Sequence, residues 1–201
     1  MNPALLPFLL FAFVASITPG PTNILVFSNS ARRGVTASVP MILGGCGGAA
    51  LLVLAVGLGI GHTLAEHPDL QRAMALAGAL WLTRMAWQLF RSAPTGVEVS
   101  GAPAARPLGF LGAAGLQLVN PKTWVMGIAV VSLFAGHDAD QTHDVALLSL
   151  VFFCVAIPCM FVWAWLGAAA ARLLRSAVWV KRFDRLMAVL LFGSAWWGFL
   201  G

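Results

Sequence analysis

Pro19-Gly20-Pro21-Thr22-Asn23 lies inside the first hydrophobic stretch of the chain, and Asn120-Pro121-Lys122-Thr123 lies at the corresponding place in the fourth. Proline lacks a backbone donor and disfavours helical geometry in the residue before it, so each motif is expected to kink or unwind its segment. Within a bilayer such a break leaves polar backbone without water to satisfy it, and membrane proteins tolerate that only in a protein-lined cavity. A matched pair of Pro/Gly-interrupted segments points to a secondary transporter with its substrate site near the membrane midplane.

The rest of the composition agrees. Of 201 residues, 60% are hydrophobic and only 9% charged, with a mean hydropathy of +0.88, whereas soluble domains carry about 25% charged residues. Six apolar runs of roughly the 20 residues that a spanning helix needs can be counted, at approximately 4–28, 36–61, 70–90, 108–135, 145–171 and 183–200. The predicted fold class is therefore an all-α integral membrane protein. Its connections are short, and the longest, Ser92–Pro107, reads as a flexible linker between a first half, 1–91, and a second, 108–201.

The few charges are sorted by loop. Arg32 and Arg33 follow the first span, Arg91 and Arg106 border the third loop, and Arg172, Arg175, Lys181, Arg182 and Arg185 fill the fifth. The second loop instead carries Glu66 and Asp69, and the fourth Asp138, Asp140 and Asp144. Positive-inside bias then puts loops one, three and five, and with them the linker, in the cytoplasm, and both termini in the periplasm. The net charge of +5 is accounted for by topology, with no module visible that would bind nucleic acid. Leu5–Ala15 looks like a short secretory signal core, but no Lys or Arg precedes it and prolines follow where a cleavage site should lie. Cys46, Cys154 and Cys159 fall within predicted helices as small side chains. His62, His67, His137 and His143 fall in outer loops without ligand-like spacing, and no metal or other cofactor is expected.

Three spans per half mean that the second half enters the membrane with opposite polarity, giving two inverted three-helix repeats whose first and fourth helices are broken at the proline motifs. Pro21 and Pro121 are 100 residues apart, preceded by Gly20 and Asn120, two residue types tolerant of unusual backbone angles. Pro121 lies roughly 20 Å along its helix from Leu108, close to the bilayer centre. After each break a new half-helix begins with free N–H groups and a positive dipole end, and Lys122 adds a full charge at that level. A carboxylate satisfies that arrangement, while freed carbonyls, Asn23, Gln117 and Asn120 can hold an ammonium group. The substrate-binding candidates are therefore Pro19, Gly20, Pro21, Asn23, Gln117, Asn120, Pro121 and Lys122, and the inventory fits a zwitterion. Gly44 and Gly48, four residues apart, are expected to form a groove for the broken first helix, although the same spacing is as compatible with a homodimer. Arg84 sits within a span between Trp81 and Trp87 and is expected to snorkel.

On these motifs the chain resembles the LysE/RhtB-type amino-acid exporters of bacteria. The resemblance covers nearly the whole chain: Pro19-Gly20-Pro21 with Asn23, the Arg33-Gly34 turn, Gly44 and Gly48, and Leu116-Gln117-Leu118-Val119-Asn120-Pro121-Lys122. It implies efflux of small amino acids or their derivatives across the inner membrane, driven by protons in antiport. Gln117-x-x-Asn120-Pro121-Lys122 is most similar to the branch handling neutral substrates such as cysteine, O-acetylserine, threonine or homoserine. Many relatives place an acid just after the second glycine of the second helix, where this chain has Ala49. No Asp or Glu lies well inside a predicted span, which disfavours cationic substrates and leaves Lys122 as the candidate proton carrier. Two other classes stay open at this level. A metal or inorganic-ion exporter or pore is opposed by a mid-membrane lysine, and a membrane-embedded enzyme lacks a legible nucleophile with its base.

Overall fold

Thirteen residues form helix α1 (Leu5–Ile17), which stops where Pro19 bars the residue before it from helical geometry. Pro21, pre-set for the first helical position, opens α2 (Pro21–Arg33). The two helices are bent by 55° across the break. The same chemistry divides the helix that ends at Val119 from the one that begins at Pro121. In this computed structural model, the described residues are 5–61, 66–91, 108–135, 141–173 and 177–200. The linker 92–107 lies outside them, as do His62, His137, Asp138 and Asp140.

Gly34 ends α2 at φ +83°, a left-handed conformation that favours glycine, with its N–H on the Ser30 carbonyl at 2.9 Å. A short 3₁₀ turn, Thr36–Ser38, leads into α3 (Val39–Ala55), which widens into a π turn at Val56–Ile60. The remaining helices are α4 (Pro68–Arg91), α5 (Phe110–Val119), α6 (Pro121–Phe134), α7 (Gln141–Leu173) and α8 (Ala177–Leu200). Together with the absence of any strand among the described residues, this makes the protein all-helical.

Among the described residues, two helical stretches are both long and apolar enough to cross a bilayer, Thr36–Ile60 and Gln141–Ala171, and the bent α1–α2 pair makes a third if it is taken as one span. Helices α4 and α8 have the length, at 24 residues each, but not the uniformly apolar composition. Leu111 is 82% exposed, and Leu6, Val125 and Leu133 are each about two-thirds exposed. Such an oily exterior suits lipid rather than water.

Helix α3 packs on α5, α7 on α2, and α4 on α8. Glycine sets the first two distances. A Cβ on Gly44 would meet the Phe110 carbonyl oxygen at 2.1 Å, and one on Gly48 the Ala114 backbone at 2.7 Å. Gly44 and Gly48 therefore receive α5, not the broken first helix as expected from sequence. The next residue, Gly45, faces Thr22 and Gln117 at the breaks. Gly167 of α7 meets the Phe27 backbone of α2 in the same manner, with a Cβ-to-oxygen distance of 2.2 Å.

Apolar side chains fill the space on either side of the breaks. Phe8, Ala12, Val53, Val130 and Phe152 join α1, α3, α6 and α7. Ile24, Leu82, Leu116 and Leu191 join α2, α4, α5 and α8. The breaks themselves lie between these clusters. Because a methyl on Gly44 would strike rigid backbone, Gly44→Ala is expected to destabilise the detergent-solubilised protein by about 1–3 kcal/mol. Gly115→Ala, which meets nothing within 4 Å, is expected to leave the melting temperature in the same thermal-unfolding assay unchanged.

Candidate functional site

A helix that ends inside a membrane protein leaves its last carbonyls without intrahelical partners. At the end of α1 each of three consecutive carbonyls receives a side-chain donor from a different direction. Asn23 Nδ2 donates to the Ser16 oxygen at 2.9 Å, Trp163 Nε1 to the Ile17 oxygen at 3.0 Å, and Lys122 Nζ to the Thr18 oxygen at 2.5 Å. The lysine reaches across from the other break. Its side chain lies over Gly20, where a Cβ would be 2.8 Å from Lys122 Cδ and 3.1 Å from Nζ. Glycine at position 20 is thus what lets the two breaks approach.

The second break is closed by its own residues. Asn120, extended at φ −90° and ψ 109°, caps α6 by accepting from the Lys122 N–H at 3.2 Å, and Trp124 Nε1 donates to the Leu118 oxygen at 2.7 Å. Gln117 joins the two breaks. Its Nε2 donates to the Ala113 oxygen at 2.9 Å and to Thr22 Oγ1 at 3.2 Å, and its Oε1 accepts from Thr123 Oγ1 at 2.8 Å and from Asn120 Nδ2 at 3.4 Å. Gln117, Asn120, Thr22 and Asn23 are all buried. A buried network of this kind holds its members in one arrangement.

Between the breaks is a cavity of about 50 Å³, room for a few water molecules. Its polar wall is made by Ser16, Thr22, Asn23, Gln117, Asn120 and Lys122. Its apolar wall includes Ala49, Val53, Met126, Phe152, Ala156 and Met160. Two features of the polar wall are uncommitted. The Ser16 hydroxyl is buried without a hydrogen-bond partner among the described residues. The N-terminus of α2 has Gly20 at its cap position and so no side chain covering its first-turn N–H groups. Lys122 is the one lining residue with a full positive charge, and no carboxylate lines the cavity among the described residues. The arrangement offers an anion a lysine and a helix N-terminus, and offers an ammonium the carbonyl oxygens of Asn23 and Gln117.

The sequence profile of LysE type translocators matches residues 13–196. The chain belongs to that family. It is 27% identical over 194 residues to a cysteine/O-acetylserine efflux protein of Klebsiella pneumoniae, with 95% of each chain covered. It is 28% identical over 193 residues to the protein of that name from Escherichia coli K12, again with 95% of each covered. No solved structure matches the chain significantly.

Within this LysE-type chain, five of the candidates read from sequence line one cavity: Pro21, Asn23, Gln117, Asn120 and Lys122. Gly20 is buried beneath the lysine, Pro121 starts α6 beside it, and Pro19 is exposed. Ala49 also lines the cavity. Thr22 and Thr123, which follow Pro21 and Lys122 in the two motifs, complete the network. Met126, Phe152 and Met160 gave no signal, because an apolar residue of an apolar helix looks alike on every face, and Ser16 is a lone small hydroxyl in an apolar helix with no motif around it.

One acidic residue escaped the sequence reading altogether. Asp184, near the start of the last predicted span, is 2% exposed and forms a salt bridge with Arg32 at the end of α2. Nearby, Asn29 Nδ2 donates to Ser38 Oγ at 2.8 Å, and the Ser30 and Ser38 hydroxyls share a bond at 2.7 Å. This second polar cluster ties α2 to the following turn and to α8. It lies apart from the cavity-lining residues.

Because Gln117 serves three other side chains, Gln117→Leu is expected to leave Thr22, Thr123 and Asn120 incompletely bonded and to cost about 1–3 kcal/mol. Thermal unfolding in detergent measures this, with Gln88→Leu on the exposed face of α4 as the control.

Proposed function

We propose that the protein is a secondary exporter of small neutral amino acids or their derivatives in the bacterial inner membrane, working by proton antiport and alternating access. Membership of a translocator family and the efflux names of its relatives support reading it as a transporter rather than an enzyme. The observation that carries the substrate class is the joined pair of breaks, with Lys122 bridging them and uncharged lining residues opposite. The substrate carboxylate binds Lys122 and the N-terminal N–H groups of α2. Its ammonium group rests against Asn23 Oδ1 and Gln117 Oε1. Its side chain points to the wall of Ala49, Val53, Met126 and Phe152, where a second cation would find no counter-charge.

The cavity of about 50 Å³ is small for an amino acid, which supports a binding step in which the halves separate. A substrate carboxylate competing for Lys122 releases the Thr18 carbonyl, loosening the contact between the breaks at the moment the site is filled. That differential contact is what a ligand needs in order to shift a two-state equilibrium. Lys122 also carries the exchanged proton.

The moving parts are two inverted three-helix repeats, 1–91 and 108–201, joined by the cytoplasmic linker 92–107, with six spans and both termini periplasmic. The exchange of contacts supports this reading. In it α3 is the second helix of its half and packs on α5 of the other half, while α7, the second helix of the later half, packs on α2. Both contacts use glycine against backbone, Gly48 on Ala114 and Gly167 on Phe27. Arg32, at the cytoplasmic end of α2, and Asp184, at the cytoplasmic end of α8, meet on one side of the membrane as the loop charges require.

Counterflow of labelled cysteine or threonine into proteoliposomes tests the site. Lys122→Ala is expected to lower the rate at least about tenfold, the loss of one charged hydrogen bond; wild-type counterflow in that variant rules out the role given to Lys122. Ala49→Asp is expected to add lysine to the substrates exchanged in the same assay, because it supplies the missing counter-charge.

A further inference from the structure

On the lipid-facing side of α4 and α8 there is a second concavity of about 540 Å³, remote from the breaks. Its floor is low because Ala86 and Ala188, both buried, stand where the helices meet. Its walls are aromatic and aliphatic. Trp87 and Phe90 rise from α4, and Val189 and Phe192 from α8, each exposed by 38% or more.

The groove is graded along its length. Arg84, Trp87 and Arg91 follow one face of α4 at intervals of three and four residues. Arg84 lines the groove and is exposed, with no hydrogen bond or ion pair to any described residue. Arg91 places its guanidinium 5.3 Å from the centre of the Trp87 ring, and Arg185 of α8 places its own 5.2 Å from the Phe90 ring. Trp87 and Phe90 are stacked at 6.0 Å. Arg84 thus lines the groove itself, while Arg91 and Arg185 pack on the Trp87 and Phe90 rings that form its wall toward the C-terminal end of α4. The neighbouring carboxylate, Asp184, is buried on the other side of α8 with Arg32. Toward the opposite end the lining is Leu80, Val189 and Phe192, without charge.

An arginine facing hydrocarbon roughly 10 Å inside the helix end is costly unless an anion reaches it. The geometry points to a binding site for one anionic glycerophospholipid, its phosphate held among Arg84, Arg91 and Arg185 and an acyl chain laid along Trp87, Val189 and Phe192. Basic pockets between membrane helices recognise such head groups. The polar-to-apolar gradient runs in the direction that a lipid of the arginine-rich leaflet presents. A second copy of the chain fits the groove poorly, because a two-fold contact through this face would bring two sets of three arginines together.

Native mass spectrometry of the purified protein, titrated in detergent with phosphatidylglycerol and with phosphatidylcholine of identical acyl chains, tests the assignment. The wild type is expected to retain phosphatidylglycerol at least about fivefold more tightly, the effect of a single interfacial arginine. Arg84→Gln is expected to lose about that factor for phosphatidylglycerol and nothing for phosphatidylcholine. Arg72→Gln, at the opposite end of α4, is expected to change neither. Equal retention of the two lipids by the wild type overturns the proposal, as does an Arg84→Gln variant that behaves like Arg72→Gln. A photoreactive acyl chain on phosphatidylglycerol provides a reading that needs no variant. Labelling of α4 around Trp87 and of α8 around Val189 supports the site, whereas labelling only elsewhere, or a lipid-free dimer cross-linked through this face, refutes it.

Discussion

Unpaired backbone in the middle of an apolar protein is the constraint around which this structure is arranged. Breaking α1 from α2 exposes carbonyls that neither lipid nor helix can satisfy, and each must be reached by a donor from elsewhere. The Ser16, Ile17 and Thr18 carbonyls take theirs from Asn23, Trp163 and Lys122, which belong to α2, α7 and α6. One local interruption therefore fixes the relative positions of three helices. It also concentrates polar side chains where the surrounding residues are apolar, and a small polar cavity is the outcome.

The two breaks perform different tasks. The first supplies bare backbone: Gly20 has no side chain with which to cap α2, so its first-turn N–H groups have no side-chain cap bond. The second supplies side chains: Asn120 caps α6, Gln117 spans the gap, and Lys122 crosses it. A charged side chain from the second break thereby rests on the backbone of the first. Close glycine packing of α3 on α5 and α7 on α2 brings the broken helices near enough for these bonds to form.

Much of this was legible because proline and lysine are conspicuous in an oily sequence. Pro21, Asn23, Gln117, Asn120 and Lys122 stand out by type and by their matched placement, and the structure brings all five to one cavity. The partner of Gly44 and Gly48 was not legible. Glycine spacing says that something comes close but carries no information about which helix does so. The burial of Asp184 was equally hidden, since a carboxylate beside Lys181, Arg182 and Arg185 reads as one more loop charge. It takes the placement of α2 against α8 to bring Arg32 to it.

By itself the sequence determined that the chain is helical and apolar, where its helices must break, and that a lysine stands at one break. Those properties follow from residue chemistry and local backbone sterics, which act over a few positions. Only the tertiary structure decided that Lys122 caps the carbonyl of Thr18, that Gln117 links both breaks, and that Met126, Phe152 and Met160 form the apolar wall facing them. These are contacts between helices far apart in sequence, and in a chain apolar on nearly every face no periodicity marks the face that turns inward.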